Sequence, residues 1–563
     1  MVPESVSTPS RRHLFKTLAA LGTGSSVFER AVVAQVPKDA AVTAEMIQQA
    51  EWIAGIRLSD DDRKALVGKI NAGQRQFARL RQVALPNDVP PAFAFVPSAE
   101  PAPREAAGVA GSWASAIPKK PDSGDDLAFL PLTALASLVR TRAVSSVELT
   151  KLYLERLKKY DPALKCVVTL TEELALKQAD AADREIAAGR YRGPLHGIPW
   201  GAKDLIAYPG YKTTWGAGPF KEQTLDTKAT VARKLEEAGA VLVAKLTLGA
   251  LANGDQWFGG MTRNPWNVKQ GSSGSSAGSA SAVVAGLVGF AIGSETLGSI
   301  VSPCARCGAS GLRPTFGRVA RTGCMTLSWT MDKLGPIARS IEDCALVFDA
   351  IRGPDGLDAA AVDRPFRWPF HRELWSLRVG YVEGKKAVED RKELQVLKGL
   401  GVKLVPITLP DKYPVDALSC ILDVESASAF DDLTRKGVNE GIGSWMRTFR
   451  SAQFVPAVEY LRAQRVRTLI MREMETLFEK VDLYVGGNDL VITNHTGHPT
   501  AVLPNGFVKA GDNEVPTAIT FTGRLYGESE LLAVAHAYQQ ATGHHLKRPP
   551  MDKATPENAE KKG

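Results

Sequence analysis

The sequence predicts an α/β body, with helices covering a β-sheet, behind a helical N-terminal extension. Three observations carry this. From about residue 125 to 549, apolar runs of strand length alternate with amphipathic stretches of helical period. Before them, residues 43–83 repeat apolar side chains at helical spacing. Between the two lies a stretch rich in Pro, Ala and Gly, residues 86–122, which reads as an extended linker or a strap.

The elements follow in order. Thr43 caps a first helix that carries Met46, Ile47, Ala50, Ile53 and Ala54 on one face. Ser59, followed by Asp60, Asp61 and Asp62, opens a second, because its hydroxyl and the carboxylates satisfy free N–H groups and sit at the positive end of the helix dipole. Leu66, Ile70, Phe77 and Leu80 form the apolar stripe of that helix. Residues 145–160 form a helix with Ser145 or Ser146 at its cap. Residues 240–245, AVLVAK, read as a buried strand, and 283–292 as a buried helix or strand. Residues 377–382 and 402–407 read as strands bracketing a helix over 388–400. The apolar faces within 35–124 need a partner, so this extension is expected to cover part of the body; a homodimer is also compatible with it.

Composition narrows the functional classes. The chain has 563 residues, 44% hydrophobic and 23% charged, as ordinary globular proteins do. No apolar run reaches the roughly 18 residues of a membrane span. The net charge of +8 comes without a Lys/Arg run interleaved with aromatics, so no nucleic-acid partner is expected. Six cysteines are too few for a disulfide scaffold at this length. Cys304 and Cys307 form a lone CxxC with neither zinc-site partners nor a redox context, and are read as structural.

The first 34 residues read as a twin-arginine export signal. Arg11-Arg12 precedes a short apolar segment from Leu18 to Val27, and Val32-Val33-Ala34 offers a cleavage site before Gln35. The expected organisation is therefore a signal at 1–34, a helical and Pro/Ala-rich extension at 35–124, a main body at 125–549 and a charged tail at 550–563. The expected compartment is periplasmic or extracytoplasmic.

The chemistry concentrates between Gln270 and Arg318. QGSSGSSAGSASAVVAG (270–286) leads to GSETLGSIVSP (293–303). Small residues this dense bring backbone close to backbone and leave N–H groups available to a ligand. Gly274-Ser275-Ser276-Ala277-Gly278 also satisfies the nucleophile-elbow pattern, with Ser276 as nucleophile and His495, His498 or His536 as base. That motif needs an apolar strand before it, and a turn-rich loop stands there instead.

At these residues the chain resembles the amidase signature family. The resemblance extends through GPLHGIPWGAKDLI (193–206), GLRPTFGRVARTG (311–323), SWTMDKLGPIARSIEDCAL (328–346) and TGHPTAVLPNGF (496–507), covering about residues 125–549. It implies a mixed, twisted β-sheet with helices on both faces, and an amidase that needs no metal or organic cofactor. It assigns Ser299 as nucleophile, Ser275 as a bridging serine on a cis peptide, and Lys203 as base. The backbone N–H groups of Thr296, Leu297, Gly298 and Ser299 would form the oxyanion hole. The implied substrate is a small-molecule carboxylic amide, cleaved to acid plus amine or ammonia. Aryl amides, carbamates and esters share this chemistry, and the glutaminase subunit of a tRNA-dependent amidotransferase is a second candidate.

Elementary chemistry agrees with those roles. Serine is a weak nucleophile without an adjacent base. Lysine, with a free pKa of about 10.4, serves as one only if burial disfavours its charge. The apolar neighbours of Lys203 provide such a setting, provided that Asp204 points away. Three departures from the family pattern stand out. Leu297 replaces a usual Gly and narrows the space beside the oxyanion; Glu295 replaces a usual Asp. Val301 replaces an Arg found in many relatives, which argues against small anionic amides. Trp200, Trp257, Phe258 and Trp329 fall in matching segments and hint at an apolar acyl group, with core packing expected for at least half of them.

Overall fold

A computed structural model describes residues 41–85, 93, 118–370, 373–383, 388–487 and 489–551. The expected export signal, most of the expected Pro/Ala-rich strap and the tail beyond residue 551 lie outside these residues. The chain divides into two compact units, residues 1–74 and 75–563, so the boundary falls inside the second helix.

In the smaller unit, α1 (Ala44–Ala54) begins at Thr43, whose hydroxyl accepts from Met46 N. Helix α2 (Asp60–Arg81) begins after Ser59, whose Oγ accepts from Asp62 N at 3.1 Å. The two are zipped by polar contacts. Glu51, only 7% exposed, pairs with Arg63 at 2.5 Å and accepts from Leu58 N. Val42 and Asn71 exchange two hydrogen bonds, at 2.7 and 2.9 Å. The expected apolar face of α1 is thus half right. Ile47 is buried, but Ile53 is 75% exposed, because the inward position is taken by a neutralised glutamate.

The larger unit is built on one mixed sheet of 11 strands. In chain order they are β1 (Val167–Leu170), β2 (Pro199–Lys203), β3 (Val241–Leu246), β4 (Phe290–Glu295), β5 (Ser310–Arg313), β6 (Lys333–Ala338), β7 (Arg378–Val382), β8 (Lys403–Ile407), β9 (Leu483–Val485), β10 (Thr500–Ala510) and β11 (Asn513–Gly523). Their spatial order is β1-β3-β2-β4-β6-β5-β10-β11-β9-β7-β8. Parallel pairing joins β3-β2-β4 and β9-β7-β8, and the remaining neighbours are antiparallel.

Both faces of this sheet are buried. Along β3, Leu242 enters one apolar cluster while Val241 and Val243 enter another. Along β4, Phe290 and Ile292 join the first and Ala291 the second. A period of two feeding two separate cores is what a sheet covered on both sides requires. Helices α3 (Ser146–Leu164), capped by Ser145, α4 (Glu172–Ala187), α5 (Ala277–Val284) and α6 (Val301–Cys307) contribute to the second cluster, and α7 (Ile341–Ile351) to the first. The apolar stretch 283–292 divides: α5 ends at Val284 and β4 begins at Phe290, with Leu287 and Val288 buried between them. The last turns of α2 pack within the larger unit, where Phe77 and Leu80 share a cluster with Ile470 and Met474 of α8 (Ala457–Lys480).

Candidate active site

Three chain segments meet at the end of β2. Lys203 is the last residue of that strand and is fully buried. Its Nζ lies 2.8 Å from Ser275 Oγ, 3.1 Å from Ser276 Oγ and 2.9 Å from Ser294 Oγ. The Gly274–Ser275 peptide is cis. Gly274 has no room for a side chain, since a Cβ there would stand 1.9 Å from Gly254 O. Ser276 N donates to Ser299 O at 3.0 Å, so the segment holding Ser275 is tied directly to the one holding Ser299. Ser299 is half-buried, whereas Ser275 is 1% exposed; of the two assigned serines, Ser299 is the one with access to solvent.

Ser276 is placed differently. Its hydroxyl donates to Ser294 O at 3.1 Å and accepts from Ser294 N at 3.1 Å, so it splices the segment after Ser275 onto the end of β4. The short strand before it, Asn267–Gly271, pairs among the described residues only with Arg263–Asn264, outside the main sheet. With its proton committed and no buried strand behind it, Ser276 lacks the setting of an elbow nucleophile.

Burial is what changes Lys203. It pushes the ammonium pKa down, the charges of Asp332 and Glu295 partly oppose it, and the outcome is about 7. Asp204 does point away. It pairs with Lys245 at 2.7 Å and accepts from Thr214 N at 2.8 Å, so its charge is spent elsewhere. A second buried lysine, Lys333 on β6, is also pushed well below its ordinary value by burial. Its Nζ donates to the Met331 carbonyl and bonds no serine hydroxyl among the described residues, so the geometry favours Lys203 as the base.

The turn that carries Ser299 is held from below by Glu295. This fully buried carboxylate accepts from Ile300 N at 2.8 Å and Val301 N at 3.0 Å, pairs with Arg313 at 2.7 Å and accepts from Asn494 Nδ2 at 2.8 Å. Burial alone would raise its pKa; the charges of Arg313 and Lys333 and these hydrogen bonds more than offset that and bring it to about 2. With the base of the turn fixed, the N–H groups of Thr296, Leu297, Gly298 and Ser299 find no protein acceptor among the described residues. Gly298 has φ +86°, and a Cβ there would crowd Ser302 Oγ at 3.0 Å, so glycine is needed at this point of the turn. Thr296 Oγ1 donates to Asp332 at 2.6 Å.

Of the three residues singled out in the sequence, Lys203 and Ser275 are in hydrogen-bond contact, and Ser299 lies on a segment tied to that of Ser275 through the Ser276 N–H. Sequence reasoning missed Ser294, which contacts Lys203 through both its hydroxyl and its carbonyl, and it noted Glu295 only as a departure from a pattern. The one signal for both was their place directly before the nucleophile turn. Trp200 is core, stacked on Phe290 at 6.1 Å, while Phe258 and Trp329 are exposed. Cys304 and Cys307 are free, buried thiols on α6, pushed up by burial and therefore unreactive.

Comparison with known proteins places the chain in a family. The amidase family model matches residues 148–486. A glutamyl-tRNA(Gln) amidotransferase subunit of Moorella thermoacetica is 33% identical over 489 residues, 75% of this chain and 99% of that protein. The corresponding subunit of Azotobacter vinelandii is 33% identical over 482 residues, 75% of this chain and 99% of that protein. Among solved structures, a peptide amidase in complex with the competitive inhibitor chymostatin superposes with a TM-score of 0.67 at 28% identity, over 76% of this chain and 99% of that one. The native peptide amidase of Stenotrophomonas maltophilia gives 0.66 at 28%, over 75% of this chain and 98% of that one.

The state of Lys203 predicts a pH profile. Only the neutral amine accepts a proton, and its pKa is about 7. The rate constant kcat/KM should therefore fall about tenfold per unit as pH drops below that value, and level off above it. A flat profile across the same range would contradict Lys203 as the base.

Proposed function

The chain belongs to the amidase family, and from that premise we propose that it cleaves the C–N bond of a carboxylic amide through an acyl-enzyme on Ser299. The observation that carries this reading is Lys203, buried without a carboxylate partner of its own and 2.8 Å from Ser275 Oγ. Neutral Lys203 accepts the Ser275 proton as Ser275 accepts that of Ser299, and Ser299 Oγ forms a bond to the carbonyl carbon. The negative charge gathering on the carbonyl oxygen is met by the N–H groups of residues 296–299. Fixed donors of this kind are typically worth about 3 kcal/mol each by deletion. Ser275 then returns a proton to the nitrogen as the C–N bond breaks, since an unprotonated amine leaves poorly. Water enters by the same relay in reverse and frees the acid. Aryl amides, carbamates and esters are accommodated by the same steps.

A second reading, the glutaminase subunit of a tRNA-dependent amidotransferase, is favoured by the relatives of 33% identity that align over 99% of their length. The two readings separate in one assay. The isolated chain should hydrolyse acyl anilides, and Ser299→Ala should lower kcat by about 10⁴-fold or more. Glutamine turnover that appears only with added partner subunits, and no anilide turnover, would favour the second reading.

Export by the twin-arginine route also belongs to this proposal, supported by Arg11-Arg12 ahead of the apolar segment. Replacing both arginines by lysine should leave full-length protein in the cytoplasm. An unchanged distribution between compartments would refute it.

A further inference from the structure

A substrate needs more room than the interior of the site gives. The cavity bounded by Ser294, Thr296, Asp332 and Lys333 holds about 20 Å³, space for about one water molecule. Anything larger on the acyl carbon must extend toward the surface, and the segments adjoining the cavity carry two exposed apolar side chains. Leu297, inside the nucleophile turn, is 39% exposed, and Trp329 is 48% exposed.

Trp329 is held out by its backbone. Asp332 accepts from Leu327 N at 2.8 Å and Ser328 N at 2.9 Å, and the same carboxylate accepts from Thr296 Oγ1, which joins this turn to the nucleophile turn. On the other side, Glu425, 3% exposed, accepts from Ser328 Oγ at 2.6 Å, Thr330 N at 3.0 Å and Thr330 Oγ1 at 2.7 Å. Arg467 donates to Thr330 O at 2.7 Å, and Arg321 donates to Trp329 O at 2.7 Å. One buried and one half-buried carboxylate and two guanidinium groups thus fix the residues on both sides of an indole that is itself left half in water. An exposed indole gains nothing from such fixing unless something covers it; a rigid aromatic ring is a low-entropy surface for an apolar ligand.

We propose that Trp329 and Leu297 form the wall of the acyl-binding site, that the preferred substrate bears a large apolar or aryl acyl group, and that Glu425 is the positioning residue for this wall. Leu297 lies within the turn whose N–H groups would face the acyl oxygen, and Asp332 ties the backbone just before Trp329 to Thr296 of that turn, which is why the apolar group is assigned to the acyl half of the amide. The proposal rests on the amide-hydrolase reading above.

The test uses two p-nitroanilides with the same leaving group, acetyl and phenylacetyl, on the full chain. The wild type should prefer the phenylacetyl compound. Trp329→Ala and Leu297→Gly should each lower that preference about tenfold, chiefly through KM of the larger substrate, as loss of one apolar contact does. Trp329→Phe should restore most of the preference. Glu425→Gln should shift the ratio in the same direction as Trp329→Ala, with kcat for the phenylacetyl compound changing less than KM. A preference unchanged in both Trp329→Ala and Leu297→Gly, in protein that keeps its wild-type Tm, would overturn the proposal. If the wild type cleaved neither compound faster than Ser299→Ala does, the amide-hydrolase reading would fail first and this assignment with it.

Discussion

The catalytic arrangement depends on one buried carboxylate. Glu295 ends β4 and receives the N–H groups of Ile300 and Val301, the guanidinium of Arg313 and the amide of Asn494. A charge taken out of water must be matched by donors, and four sets of them converge here. Their convergence fixes the turn between residue 295 and residue 300 from both ends. The N–H groups at the top of the turn find no protein acceptor among the described residues, which in the proposed reaction leaves them to a substrate oxygen beside Ser299. Asn494 comes from α9 (Leu490–Thr496) and Arg313 from β5, so the nucleophile turn is braced by elements distant in sequence.

The same logic, with the sign reversed, sets the charge state of Lys203. Its neighbours are hydroxyls and a carbonyl, which solvate an ammonium less well than water does and carry no charge, so burial lowers its pKa to about 7. A carboxylate in contact would cancel this. The nearest candidate in sequence, Asp204, is drawn off by Lys245 and Thr214. The site thus gives one buried lysine a carboxylate partner and leaves another, the residue next to that carboxylate, with none. Separation of two similar groups by environment is how a fold obtains a base at neutral pH.

Much of the local structure was legible in the sequence. The Ser145 cap, the strand at 240–245 and the strands near 378 and 403 fall within a residue or two of expectation, because capping chemistry and apolar periodicity are local. The stretch 283–292 was ambiguous for a physical reason: it is buried throughout, so periodicity does not distinguish the helix end from the strand start. Ile53 was expected inside and lies outside, because Glu51, neutralised by Arg63, occupies the inward position that hydrophobicity alone would not give to an acid. Lys203 and Ser275 stand 72 residues apart, and only a resemblance to a family joins them. The roles of Glu295, Ser294 and Glu425 were not legible at all, since each depends on partners brought together by the sheet.

Everything in the proposed chemistry turns on Ser299, rather than Ser275 or Ser276, carrying the acyl group. The most direct measurement is to react the folded protein with a fluorophosphonate and locate the added mass by peptide mass spectrometry. One adduct is expected, on Ser299, forming more slowly as pH falls below the Lys203 pKa of about 7. An adduct on Ser276 would revive the elbow arrangement, and the absence of any adduct on folded protein would contradict a seryl acyl-enzyme altogether.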